Sequence, residues 1–350
     1  MISFYPGPSQ THSRLPEYIH EAFDLGVPSM NHRSDEFTKI IQDTTKAINN
    51  KLGVPKDYSV SFISSATEAW EIISQSFVVE RSTHLFNGAF GKKWFEAASK
   101  SSIPTVAEEF GINENLPVMT DSISESDVIC ITQNETSNGT QVSNQLLKTL
   151  RKNYIDKLIA VDATSSLGGQ FLNFQDADIW FSSVQKCLGL PPGLAVLICS
   201  PRAIKKGLSI NESSHYNSFT TIYKNSQQHQ TTHTPNTLNI FLLNRVLENM
   251  DSIQATSERL SLRAKELYHF LETETQFDLL VENEQTRSST VVALKTSNPN
   301  IIRLHTQKNN ITLGKGYGQW LKNSVRIANF PAHSDEHFLK LKDCIKNFAW

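Results

Sequence analysis

The stretch from Leu158 to Ser200 constrains the fold of this chain most. It holds three apolar runs, Leu158–Val161, Ile179–Val184 and Ala195–Cys199, each bounded by Gly, Pro, Asp or Ser. Short continuous apolar runs with such borders read as buried strands. The acid Asp162 closes the first run, and Lys186 follows the second. In an open α/β sheet, ligands bind outside the carboxyl ends of the strands, so the two groups are expected to face one crevice.

That pair suits pyridoxal phosphate (PLP) chemistry. A lysine amine forms a Schiff base with the cofactor, and a carboxylate keeps its pyridine nitrogen protonated, so that the ring withdraws electrons from a substrate carbanion. The competing interpretation makes Asp162 a loop cap and Lys186 a solvated charge, since both residue types are mostly exposed. Neighbouring residues decide between the two.

At 350 residues the chain predicts a large α/β domain with a smaller companion. The boundaries expected are an arm over 1–15, a PLP-binding domain over 16–245 and a C-terminal α+β domain over 246–350. The formal net charge is −2, from 33 basic and 35 acidic residues spread along the chain, which leaves no footprint for nucleic acid or an anionic membrane. The partner expected is a small molecule. No apolar run approaches the roughly 18 residues of a membrane span, and Met1–Arg14 lacks a secretory pattern, so a cytoplasmic protein is expected. Cys130 and Cys199 sit in strand-like runs, Cys187 and Cys344 are isolated, and no C-x-x-C occurs; reduced, buried thiols follow.

Along the chain, Pro6, Gly7, Pro8 and Pro16 suit an extended arm. Ser34, followed by Asp35 and Glu36 and then Phe37, Ile40, Ile41 and Ile48 at helical spacing, predicts a helix ending at Gly53. His32 and Arg33 stand just ahead of it, as loop charges or as anion contacts. A strand over Tyr58–Ile63 turns into a helix that Ser64, Ser65 or Thr67 can cap, and the turn offers free N–H groups and a positive dipole end to a phosphate. Apolar runs then alternate with turns and helices through Val142, which predicts a largely parallel, doubly wound sheet. Phe90 can stack on a flat ring or simply pack; Thr136 lies just past a strand end. Asn211–Thr234 is polar and weakly periodic and is expected as a long loop. From Pro235 some 35 residues are helical with one or two breaks; strands are expected at Phe277–Val281, Thr290–Leu294 and Val325–Ile327, and a capped helix at the end.

With these residues in place, the chain resembles the class V aminotransferases of the PLP fold-type I enzymes, and within them the phosphoserine aminotransferases. The likeness runs in order through Pro6–Pro8, His32-Arg33, the S-A-T turn, N-G-A-F-G (Asn87–Gly91), N-E-T-x-x-G (Asn134–Gly139), Asp162, Gln185-Lys186 and Arg326-Ile327. The resemblance implies a mostly parallel seven-stranded sheet and a small C-terminal domain. It implies that Lys186 forms the Schiff base and carries the proton, and that Asp162 pairs with the ring nitrogen. Ala66 and Thr67 would bind the cofactor phosphate, Phe90 would stack on the ring, and Thr136 and Gln185 would hydrogen-bond the cofactor. Arg326 would clamp the substrate carboxylate, His32 and Arg33 would contact substrate, and His233 and Thr234 would reach the neighbouring subunit's cofactor in a homodimer. The substrates implied are an amino acid and a 2-oxo acid, phosphoserine and 2-oxoglutarate foremost. Two departures stand out: Phe90 replaces the family's usual tryptophan, and Gly314–Gly318 reads GKGYG where a Gly-His-Arg triplet is usual. They keep an alanine–glyoxylate or serine–pyruvate type enzyme as the alternative.

His333-Ser334-Asp335-Glu336-His337 also matches H-x-x-E-H, an inverted zinc-peptidase pattern. It requires a third ligand, and Asp343 is the one carboxylate side chain after His337; Ser334 with Asp335 and Glu336 equally reads as a helix start.

Overall fold

A computed structural model describes residues 1–348 of the chain. Its strands, in chain order, are β1 (Ile2–Phe4), β2 (Ser59–Ile63), β3 (Ser82–Phe86), β4 (Thr105–Glu109), β5 (Val128–Thr132), β6 (Asn134–Glu135), β7 (Thr140–Gln141), β8 (Leu158–Asp162), β9 (Ile179–Ser183), β10 (Ala195–Cys199), β11 (Asp278–Leu279), β12 (Val291–Lys295), β13 (Ile311–Lys315) and β14 (Ser324–Ala328). Seven of them form one sheet in the order β2-β10-β9-β8-β5-β3-β4, parallel except for β10, which runs against both β2 and β9. Five form a second sheet, β1-β13-β14-β12-β11.

The apolar runs of the central stretch become β8, β9 and β10, and every residue of the three is buried. Strand alternation explains why they are apolar throughout: Ile159 and Val161 of β8 enter one core, while Leu158 and Ala160 enter the other. Each large aliphatic side chain so buried contributes about 1.5–3 kcal/mol. Helices cover both faces. Ser34 Oγ accepts the Phe37 amide to start the helix Asp35–Leu52, and Gly53, at φ 77°, ends it in a left-handed conformation that glycine adopts without penalty.

In parallel strands the carboxyl ends fall on one edge. Thr132 is in register with Asp162, and Asp162 with Phe181. Ala195, at the start of β10, pairs with both Ile63 and Ser183, so the ends of β2 and β9 flank it on the same edge. Five strands, β2, β3, β5, β8 and β9, thereby send their following loops to one place.

Three departures from sequence expectation have physical causes. Asn211–Thr234 is not simply a loop: it contains a helix, Phe219–Ser226, capped by Ser218 Oγ and anchored by Phe219, whose ring lies 4.7 Å from that of Phe77. Its few apolar residues gave it little periodicity. The amino-terminal arm begins as a regular strand, because β1 pairs in parallel with β13. The helix Pro299–Lys308 and β13 itself carry too short an apolar pattern to have stood out. The four cysteines are free thiols, all buried, and among the described residues no helix is long and apolar enough to cross a membrane.

Candidate active site

The convergent loops enclose a cavity of about 450 Å³. Its wall includes Ala66 and Thr67 after β2, Phe90 after β3, Thr132 and Thr136 at the end of β5, Asp162 and Ser165 at the end of β8, and Ser183, Gln185 and Lys186 at the end of β9. The second sheet adds Arg326 and Tyr317, and the segment after β1 adds Tyr5–Pro8.

Lys186 is 7% exposed, and its Nζ donates to Thr136 Oγ1 at 2.7 Å and to Ser165 Oγ at 2.9 Å. Burial pulls its pKa down to about 8, against the opposing pull of the Asp162 and Glu135 carboxylates. Roughly a tenth of the amine is therefore in the neutral, nucleophilic form at pH 7, against less than about a thousandth for an ordinary lysine. Gly7 lies across the lysine stem: a Cβ there would sit 3.0 Å from Lys186 Cε, and its φ of 154° disfavours any other residue.

Asp162 is 6% exposed and accepts the Thr164 amide at Oδ1, at 2.9 Å. Burial raises its pKa, with the Thr164 bonds and Lys186 opposing. A buried carboxylate held this way is costly until a cation meets it, and a protonated ring nitrogen is such a cation.

The helix Ala66–Phe77 begins directly at the cavity. Ser65 Oγ caps Glu68 N, Ala66 N donates to Ser183 Oγ at 3.1 Å, and Thr67 N has no protein acceptor among the described residues. Three buried polar atoms of the wall, Trp70 Nε1, Thr132 Oγ1 and Thr164 Oγ1, are also without a partner among the described residues. An unsatisfied amide at a helix start, with further unsatisfied donors on the wall of the same cavity, suits an anion. Together with Lys186 and Asp162 they fit the phosphate, the aldehyde and the ring nitrogen of PLP.

Arg326 projects from β14 and is 3% exposed. Nε donates to the Lys315 carbonyl at 2.7 Å and Nη1 to the Thr136 carbonyl at 2.8 Å. No acid pairs with it among the described residues, and burial lowers its pKa to about 10. Phe90 stacks on Tyr317 with centroids 4.9 Å apart and planes at 15°, and Lys186 Nζ lies 5.0 Å from the Phe90 centroid.

Of the twelve residues singled out from sequence, eight line this cavity: Ala66, Thr67, Phe90, Thr136, Asp162, Gln185, Lys186 and Arg326. His32, Arg33, His233 and Thr234 do not. Arg33 is exposed, with Nη1 donating to Gln230 Oε1 at 2.6 Å. The H-x-x-E-H pair serves structure: His333 is buried, with Nε2 2.8 Å from the Ser3 carbonyl and its ring stacked on Phe4, while His337 closes a capping box with Ser334. No group of three metal-ligating side chains occurs among the described residues.

Sequence reasoning missed Tyr317 and Lys93, which both line the cavity, and Glu135. Glu135, buried in N-E-T, accepts the Phe90 and Gly91 amides and so fixes the helix that carries Phe90. Its adjacency to Thr136 was the available signal. Gly88 makes room for it, since a Cβ there would fall 2.3 Å from Glu135 Cγ.

A mostly parallel sheet with a buried lysine and carboxylate at its carboxyl edge defines a PLP-type transferase site. The family model Aminotransferase class-V matches residues 98–319, and the chain belongs to this family. Over 99% of this chain and 98% of the other, the structure superposes on that of a phosphoserine aminotransferase from Cytophaga hutchinsonii with a TM-score of 0.94 and 33% identity. A phosphoserine aminotransferase of Rhodococcus opacus is 24% identical over 355 residues, 97% of this chain and 92% of that one. Alanine–glyoxylate aminotransferase 1 of Saccharomyces cerevisiae is 23% identical over 211 residues, 56% of this chain and 55% of that one. The protein is thus a PLP-dependent transaminase by family.

Proposed function

We propose that this aminotransferase exchanges the amino group between phosphoserine and 2-oxoglutarate. The carrying observation is the full-length likeness to a phosphoserine aminotransferase at 33% identity. PLP, when bound, supplies the electron sink for the bond broken at the substrate Cα. Asp162 would hold the proton on the ring nitrogen, and the Thr67 amide, with the Ser183 hydroxyl that the Ala66 amide bonds, would receive the phosphate. Arg326 keeps Nη2 and one Nη1 hydrogen for the substrate α-carboxylate, as a planar fork does better than an ammonium. Lys186 Nζ, with its depressed pKa, takes the proton leaving Cα and returns it.

A homodimer is part of this reading. Arg33 Nη1 donates to Gln230 Oε1, which brings His32-Arg33 beside the segment that leads into His233 and Thr234, where Thr231 Oγ1 donates to the His233 carbonyl. In a twofold assembly, where each subunit presents the same patch to its partner, this patch of one subunit would serve the cavity of the other. Mixing inactive Lys186→Ala subunits with inactive Arg33→Ala subunits would then restore activity in hybrids; no recovery after verified subunit exchange would sink the shared site.

The alternative, an alanine–glyoxylate or serine–pyruvate type enzyme, rests on GKGYG standing at Gly314–Gly318 in place of the usual Gly-His-Arg triplet. Single turnovers of the PLP-loaded enzyme with phosphoserine, alanine and serine separate the two. The phosphoserine reading requires the fastest loss of the lysine–cofactor absorbance with phosphoserine; faster conversion by alanine or serine overturns it.

A further inference from the structure

We propose that Lys93 and the Tyr317 hydroxyl form the subsite for the second anionic group of the substrate. This rests on the reading of an aminotransferase acting on a dianionic amino acid. Lys93 reaches the cavity wall from the helix Ala89–Ala98, and its Nζ donates to Tyr317 Oη at 2.5 Å. Among the described residues no carboxylate pairs with Lys93, whereas Lys39, Lys295 and Lys346 each hold one. The phenol oxygen accepts from Lys93, and its own hydrogen has no acceptor among the described residues. An ammonium and a hydroxyl thus both keep donors for an oxyanion.

Tyr317 is held in place. Its ring stacks on Phe90, the Arg326 guanidinium carbon lies 5.4 Å from its centroid, and the turn it occupies is tight: a Cβ at Gly316 would fall 2.1 Å from the Trp320 carbonyl oxygen. Arg326 and Lys93 are therefore two unpaired cations beside one aromatic pair, the first buried and the second at the mouth. The neighbouring acids are committed elsewhere. Glu135 accepts the Phe90, Gly91 and Ser137 amides, and Asp162 lies on the Thr164 amide near Lys186. A substrate with its α-carboxylate on Arg326 and its amine at Lys186 would extend its distal phosphate or ω-carboxylate toward Lys93.

The test compares kcat/KM of the holoenzyme for phosphoserine, glutamate and alanine in the wild type, Lys93→Met, Lys93→Arg and Tyr317→Phe. Lys93→Met is expected to lower the value for the two dianionic donors by roughly 10- to 100-fold more than for alanine, mainly through KM, the range of one charge-assisted hydrogen bond. Lys93→Arg should recover most of this, and Tyr317→Phe should show a smaller loss with the same selectivity. Equal losses for all three donors, or none, overturn the subsite. If the wild type uses glutamate in a Lys93-dependent manner but not phosphoserine, the subsite stands and the phosphoserine reading falls. If phosphoserine is used equally well without Lys93, the reverse holds.

Discussion

Arg326 Nη1 donates to the Thr136 carbonyl at 2.8 Å, while Lys186 Nζ donates to the same residue's Oγ1 at 2.7 Å. One threonine thus spaces the guanidinium of the second sheet from the amine of the first. An arginine at that position makes two backbone bonds and still presents a fork, whereas a lysine cannot. Arg326→Lys is therefore expected to lower kcat/KM roughly 10- to 100-fold for every amino donor alike, because all share the α-carboxylate. Wild-type kinetics in this variant would remove Arg326 from substrate binding.

The amine of Lys186, with a pKa of about 8 against an ordinary 10.5, should capture PLP faster as pH rises through about 8, since the deprotonated form attacks. Stopped-flow reconstitution of the apoenzyme between pH 6 and 10.5 reads the midpoint directly. A midpoint near 10.5 would mean that the lysine is not desolvated before the cofactor arrives. Lys186→Ala should bind cofactor without a borohydride-fixable mass increase.

For Asp162→Asn, activity is expected to drop on the order of 10²- to 10³-fold, the cost of removing one preorganised electrostatic partner. Stability should move the other way or stay level. Burial raises the Asp162 pKa, so its contribution to stability is present at low pH and is lost as pH rises through the folded value; asparagine can still accept the Thr164 amide without a buried charge. Apoenzyme melting that drops sharply at pH 7 in this variant would contradict the account.

His333 is buried neutral, with burial lowering its pKa to about 4. Its folded value lies below the unfolded one, so the stability it contributes is complete above about 6.5 and is lost as pH falls toward 4, by roughly 3 kcal/mol there. Melting of the apoenzyme should fall over that window, and His333→Gln should flatten the slope while lowering the plateau. An unchanged slope would assign acid sensitivity elsewhere, His84 being the next buried histidine.

Where a segment is buried on both faces, its sequence shows it: β8, β9 and β10, and with them Asp162 and Lys186, were legible because continuous apolar runs have few other uses. Caps were legible for the same local reason, Ser34, Ser65 and Ser334 each accepting the N3 amide of its helix. Tyr317 and Lys93 were not, since their roles depend on a contact between residues far apart in the chain. The arm was misread because β1 has too few residues to carry an alternation of its own, and its partner is the distant β13. Resemblance supplied Arg326, which does not stand out by spacing, and decided between stacking and simple packing for Phe90.

The pairing of β1 with β13 also sets an order of events. Tyr5–Pro8 wall the cavity, yet the strand that anchors them, β13, follows every strand of the first sheet in the chain. The first sheet can assemble while the earliest residues still lack a mate, and loop-closure entropy delays so distant a contact. Pairing so remote in sequence makes the wall over Lys186 a clasp, closed by the longest-range strand contact among the described residues.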